Sequence, residues 1–169
     1  IDVKHQSTHG GSMRYYLSNK DAYSVKKSVN ILLEKEKIQQ INKKEGFYKF
    51  ALNVEKSKKE LLILLNSLKK EGKRVAGYAA TSKSTSILNY CGIDNNLIEY
   101  ICDTTPIKIN KYSPGTHIPI VSYEHFLSNP PDYAFLFAWN HQNEIFEKEK
   151  NYTNNGGKWI THVPEVKIY

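Results

Sequence analysis

The chain has 169 residues, 40% of them hydrophobic and 24% charged, which suits one globular domain with a proper core. Twenty-four Lys+Arg against 17 Asp+Glu leave a formal net charge of +7, a balance that favours anionic partners. No apolar run is long enough to span a bilayer, the six histidines lack metal-ligand spacing, and Cys91 and Cys102 form no CxxC, so a membrane span, a metal site and a disulfide scaffold are all excluded.

The first segment, Ile1–Leu17, reads as two short extended pieces joined at Gly10-Gly11, a hairpin. It resembles neither a signal peptide nor a loose tail, and it begins like the middle of a fold, so a longer parent protein is expected. Residues 21 to about 44 carry Val25, Val29, Leu32, Leu33 and Ile41 among lysines, an amphipathic helix that Gly46 should end. A second helix is expected over Glu55–Glu71, with Leu61, Leu62, Leu64, Leu65 and Leu68 inward and Gly72 as its stop. Most of the lysine excess lies on these two helices, where it reads as solvated outer face and not as a nucleic-acid surface.

From Arg74 onward strands and helices alternate. "RVAGYA" is a strand, Ser84–Tyr90 a helix, "LIEYICD" a strand and "HIPIVS" a short extended piece. Tyr123–Ser128 reads as a short helix, "DYAFLFAWN" as a strand apolar on both faces, Gln142–Asn154 as a helix stopped by Gly156-Gly157, and "KWITHVP" as a last strand. Such βαβ units close as an α/β fold: a mostly parallel sheet with helices on both faces, here preceded by a short hairpin and an amphipathic helix. The seam falls near Leu17–Asp21 or Gly46. Both cysteines sit on apolar elements, as reduced core thiols in a cytoplasmic protein.

Chemistry concentrates in "GYAATSKSTSILNYCGI", Gly77–Ile93, a strand–loop–helix unit. In an open parallel sheet, ligands sit at the carboxyl ends of strands, and a helix N-terminus points free N–H groups into that space. Thr81, Ser82, Ser84, Thr85 and Ser86 add hydroxyls and Lys83 a positive charge, a set suited to phosphate. The competing reading makes Ser84 or Thr85 a helix cap and Lys83 a surface lysine. Neither G-x-G-x-x-G nor G-x-x-x-x-G-K-[ST] occurs anywhere in the chain. Trp139 and Asn140 end the next buried strand on the same edge; Asn140 either caps the following helix or bonds a ligand. His117 follows the Pro114-Gly115 turn and is either a ligand contact or a satisfied structural histidine. No paired carboxylates and no Ser-His-Asp order stand out, so no catalytic residue is assigned.

Taken in order, "HGGSMRYY", "GYAATSKSTSILNYCGI", "YSPGTHIPI", "FAWN" and "GGKWITHVPE" resemble the C-terminal part of the S-adenosylmethionine-dependent sugar C-methyltransferases, with matches from His9 to Glu165. That resemblance implies a Rossmann-like substrate-binding domain over residues 21–169, with residues 1–20 as the tail of an upstream methyltransferase domain. It implies a nucleotide-diphosphate sugar as ligand, the upstream domain as partner, and neither nucleic acid nor membrane. S-adenosylmethionine and zinc would belong to upstream regions, leaving this piece without a cofactor and inactive alone. Substrate contacts fall to His9, Ser12, Arg14, Tyr78, Ser82, Lys83, Asn89, Tyr90, His117, Trp139 and Asn140. The family reads roughly G-Y-G-A-x-x-K-G through the loop; here two of those glycines are Ala79 and Ser84. The alternative is a non-catalytic nucleotide-binding or protein-interaction module with the same fold.

Overall fold

The expected hairpin forms from β1 (Asp2–Gln6) and β2 (Ser12–Tyr16), antiparallel, with Lys4 opposite Arg14 and Gln6 opposite Ser12. Its connection is a 3-10 turn over Thr8–Gly10 in which His9, Gly10 and Gly11 all take positive φ. The computed structural model describes all of residues 1–169, in two compact units, Ile1–Glu55 and Lys56–Tyr169.

In the first unit the amphipathic helix is shorter than expected. Helix α1 runs Lys27–Gln39. Buried Asp2 fixes its start: Asp2 accepts hydrogen bonds from Ser28 Oγ (2.7 Å) and Lys26 Nζ (2.9 Å), and Lys26 N donates to Ile1 O. The expectation that Gly46 ends this helix is corrected. The chain turns at Gln40, which takes φ 55°, and α2 then runs from Lys44 to Lys70, with Gly46 inside its first turn. A Cβ at residue 46 would collide with the Gln40 carbonyl, so the glycine is there for close approach and not as a stop. The helix expected over 55–71 is therefore the second half of a 27-residue helix, and Gly72 does follow its end, at φ +71°.

The second unit is built on a six-stranded sheet in the order β5-β4-β3-β6-β7-β8. Strands β3 (Val75–Tyr78), β4 (Ile101–Cys102), β5 (Ile120–Val121), β6 (Tyr133–Leu136) and β7 (Lys158–Thr161) are parallel, and β8 (Lys167–Ile168) pairs antiparallel with β7. The fold is α/β, with a mostly parallel sheet and helices on both faces, as its alternating elements imply. On one face Leu61, Leu65 and Leu68 of α2 and Leu88 of α3 (Ser82–Cys91) pack against Val75, Ile101, Phe135 and Ile160. On the other, Phe126 of α4 (Tyr123–Ser128), Phe146 of α5 (Gln142–Lys148) and Tyr152 of α6 (Lys150–Asn154) cover Ala76, Tyr78, Leu136 and Trp159. The single helix expected over 142–154 is broken at Glu149, whose φ of −100° leaves the helical region. The strand expected over 132–140 ends at Leu136, and a 3-10 turn covers Trp139–His141.

Candidate functional site

Strand β3 is flanked by β4 on one side and β6 on the other, so the connections that leave β3 and β6 diverge and open a crevice at their carboxyl ends. A cavity of about 310 Å³ lies there. Its walls come from separate elements: Tyr78 and Ala79 from the end of β3, Asp103 from the end of β4, Tyr123 from the start of α4, and His141 and Lys148 from the segment after β6.

Glu149 lies behind these groups, 2% exposed. One carboxylate oxygen accepts the Tyr78 hydroxyl at 2.7 Å and the other accepts the Tyr123 hydroxyl at 3.0 Å. Lys148 Nζ lies 3.4 Å from the first oxygen and 4.0 Å from the centre of the Tyr123 ring, a cation–π contact. Burial, with Glu149 as the second cause, pushes the Tyr123 phenol up to about 12 and the Tyr78 phenol well above the ordinary tyrosine range. Both phenols are therefore protonated at neutral pH and spend their protons on Glu149.

Asp103, 8% exposed, braces the loop beyond β3. It accepts from Ala80 N (2.8 Å), Thr105 N (2.8 Å) and Lys108 Nζ (3.1 Å). Burial alone would raise its carboxyl, but the hydrogen bonds from Thr105 and Lys108 outweigh it and hold the group below the usual carboxylate value. The brace sits next to Ala79, which takes φ +73°, a conformation natural to glycine and costly for alanine. At the head of α3, Thr81 Oγ1 accepts from Ser84 N (3.2 Å), and buried Ser84 returns its hydroxyl to Thr81 O (2.6 Å). Thr81 is thus the cap, and the Ser84 hydroxyl faces its own turn. A second cavity, about 330 Å³, lies beside this helix start with Ser82, Thr85, Lys108 and Lys111 among its walls.

The lining combines aromatic faces, the Lys148 ammonium paired with Glu149, the recessed Asp103 carboxylate and the exposed Glu144 carboxylate. These groups form no nucleophile–base pair, and no group of three or more His, Cys, Asp or Glu side chains is placed to hold a metal ion.

The profile described as "C-methyltransferase C-terminal domain" matches residues 7–164. The chain is also 34% identical to the C-methyltransferase NovU of Streptomyces niveus over 169 residues, 99% of this chain. The chain belongs to the C-methyltransferase C-terminal domain family. The resemblance drawn from the ordered motifs is borne out, and the chain spans 40% of the length of that relative.

Of the residues that the sequence pointed to in this domain, Tyr78 lines the strand-end cavity and Ser82 the cavity beside α3. Lys83 opens α3 without lining either of them. Asn89 Nδ2 donates to Thr85 O (2.8 Å) and Pro114 O (2.9 Å), which ties the Ser113–His117 turn to α3. His117 is exposed at φ 53° in that turn, and its N–H donates to Ser113 O. Tyr90 stacks under Lys58 Nζ at 4.7 Å. Trp139 is half-buried, and Asn140 keeps a buried Oδ1 without a hydrogen-bond partner. His9, Ser12 and Arg14 lie exposed on the hairpin of the first unit.

Sequence reasoning missed Asp103, Tyr123, Lys148 and Glu149. Asp103 had a readable signal, since it ends the apolar run "LIEYICD" on the ligand-facing edge. Glu149 had none: in "FEKEK" it looks like one more solvated charge.

Proposed function

We propose that this domain holds a nucleotide-linked keto-sugar for a methyl transfer that uses S-adenosylmethionine. In the whole enzyme, a base removes a proton from the carbon beside the ketone, and the resulting enolate takes the methyl group. This domain's part is to bind and orient the nucleotide end of the substrate. The observation that carries the reading is the strand-end cavity, with Lys148 stacked on Tyr123 beside the Tyr78 ring.

The reading assigns S-adenosylmethionine and zinc to other regions of the enzyme. The β3–α3 loop, Ala79-Ala80-Thr81, has no glycine to let a nucleotide cofactor approach the backbone, and no metal cluster is present. Both belong to the upstream methyltransferase domain in this reading. The first unit offers apolar side chains to such a partner: Leu17, Ile38, Phe50 and Leu52 are each at least 68% exposed. On its hairpin, Arg14 lies across from Lys4 and neither has a carboxylate partner. In the second unit, Lys83 at the start of α3 is the second candidate for the phosphates of the sugar nucleotide. Two reduced, buried thiols fit a cytoplasmic enzyme.

Calorimetric titration of the 169-residue chain tests the reading. A nucleoside-diphosphate sugar should bind and S-adenosylmethionine should give no specific heat. Micromolar binding of the cofactor, with none of the sugar nucleotide, would overturn it.

A further inference from the structure

Glu149 is a nearly fully buried acidic side chain that the transfer chemistry does not use. Burying a carboxylate is costly, and a core position would be filled more simply by an apolar residue. It stands where three elements meet: Tyr78 ends β3, Tyr123 starts α4, and Lys148-Glu149 is the break between α5 and α6. The break aims Glu149 inward while Lys148, 48% exposed, stays on the rim. Each carboxylate oxygen takes one tyrosine proton.

We infer that Glu149 is a positioning residue for the strand-end cavity: by drawing both tyrosine hydroxyl protons inward and anchoring Lys148, it makes the wall present ring faces, phenolic lone pairs and one ammonium, and no phenolic donor. With the Asp103 and Glu144 carboxylates also lining the cavity, the ligand class this wall suits is a planar heterocycle that carries N–H donors, with Lys148 as the ammonium for an anionic tail. The inference rests on the nucleotide reading of the cavity given above.

The chemistry supplies a discriminating substitution. Glutamine has the shape of glutamate but only one acceptor oxygen, and its amide nitrogen donates. In Glu149→Gln one of the two tyrosines must therefore turn its hydroxyl proton away, toward the cavity. A purely structural carboxylate would show its loss in stability alone. A positioning one shows it in the ligand and in the tyrosines together.

The test uses the whole 169-residue chain, with uridine diphosphate as probe and proton NMR as the second readout. Among the slowly exchanging phenolic hydroxyl protons of the native chain, to which buried Tyr100 and Tyr152 also contribute, one should be lost in Tyr78→Phe and another in Tyr123→Phe. In Glu149→Gln at least one of these two disappears, and uridine diphosphate binds about tenfold more weakly, the effect of one misplaced polar contact. Tyr123→Phe should weaken the probe as well, and Glu149→Gln combined with Tyr123→Phe should bind no worse than Glu149→Gln alone, because both changes act through one contact. Independent, additive losses would overturn the inference, as would both hydroxyl protons persisting in Glu149→Gln. If Glu149→Gln does not fold, the native spectrum and Tyr123→Phe decide it: absence of the two protected protons from the native chain sinks the inference. A native chain that shows both protons but binds no nucleotide instead removes the nucleotide reading and leaves the positioning geometry standing.

Discussion

The Tyr78 hydroxyl donates to Glu149 over 2.7 Å, joining groups 71 residues apart in the chain. That bond fastens the end of β3 to the break between α5 and α6, and the Tyr123 hydroxyl adds the start of α4 to the same carboxylate. One acidic side chain thus holds together the wall of the strand-end cavity.

Glu149→Ala should destabilise the chain by about 2–4 kcal/mol, because it leaves the buried Tyr78 hydroxyl and the half-buried Tyr123 hydroxyl without an acceptor and opens a void behind them. Urea denaturation measures this. A loss under 0.5 kcal/mol would mean that water reaches the carboxylate freely and that the network contributes little.

Ala79→Gly should raise stability by about 1 kcal/mol. Alanine at φ +73° is strained, and glycine relieves that strain at a smaller cost in unfolded-chain entropy. The same denaturation series reads it out, and a destabilised Ala79→Gly would contradict a left-handed backbone at this residue.

Burial pushes the His162 imidazole down to about 4 from its ordinary 6.5, and its Nδ1 is buried without a partner. The group is neutral in the folded chain, while the unfolded chain takes up its proton below 6.5. Its contribution is present in full above pH 6.5 and is lost as pH falls toward 4, about 3 kcal/mol in all. His162→Phe should flatten the stability profile between those limits, and an unchanged profile would assign the acid sensitivity to other groups.

Lys148→Ala should weaken nucleoside-diphosphate binding about tenfold, since Lys148 is the ammonium on the cavity rim. Lys83→Ala serves as comparison, and a larger loss there would move the phosphates to the start of α3.

Much of this arrangement is legible in the sequence. The spacing of Leu61, Leu65 and Leu68 gives the buried stripe of α2, and "VAGY" and "YAFL" announce strands covered on both faces because neither alternates. The short helix expected over Tyr123–Ser128 forms with those bounds as α4. Other features depend on partners distant in the chain. Gly46 looks like a stop because nothing local reveals that the Gln40 carbonyl packs against it. The break at Glu149 interrupts a good helical pattern because the carboxylate turns inward to two tyrosines. Strand and helix order alone place the loop Gly77–Ser84 at the carboxyl end of the sheet. The groups that furnish that edge come from four separate elements, and only the sheet order brings them together.

The most direct test of the central claim, that this domain binds a sugar nucleotide at the carboxyl ends of its strands, is backbone amide mapping by NMR during titration with a nucleoside-diphosphate sugar. The largest shifts should fall on Ala79, Asp103, Thr104 and His141, residues around the strand-end cavity. A saturable response confined to the opposite end of the sheet, around Arg74, Asp132 and Gly156, or no response at millimolar ligand, would contradict the account.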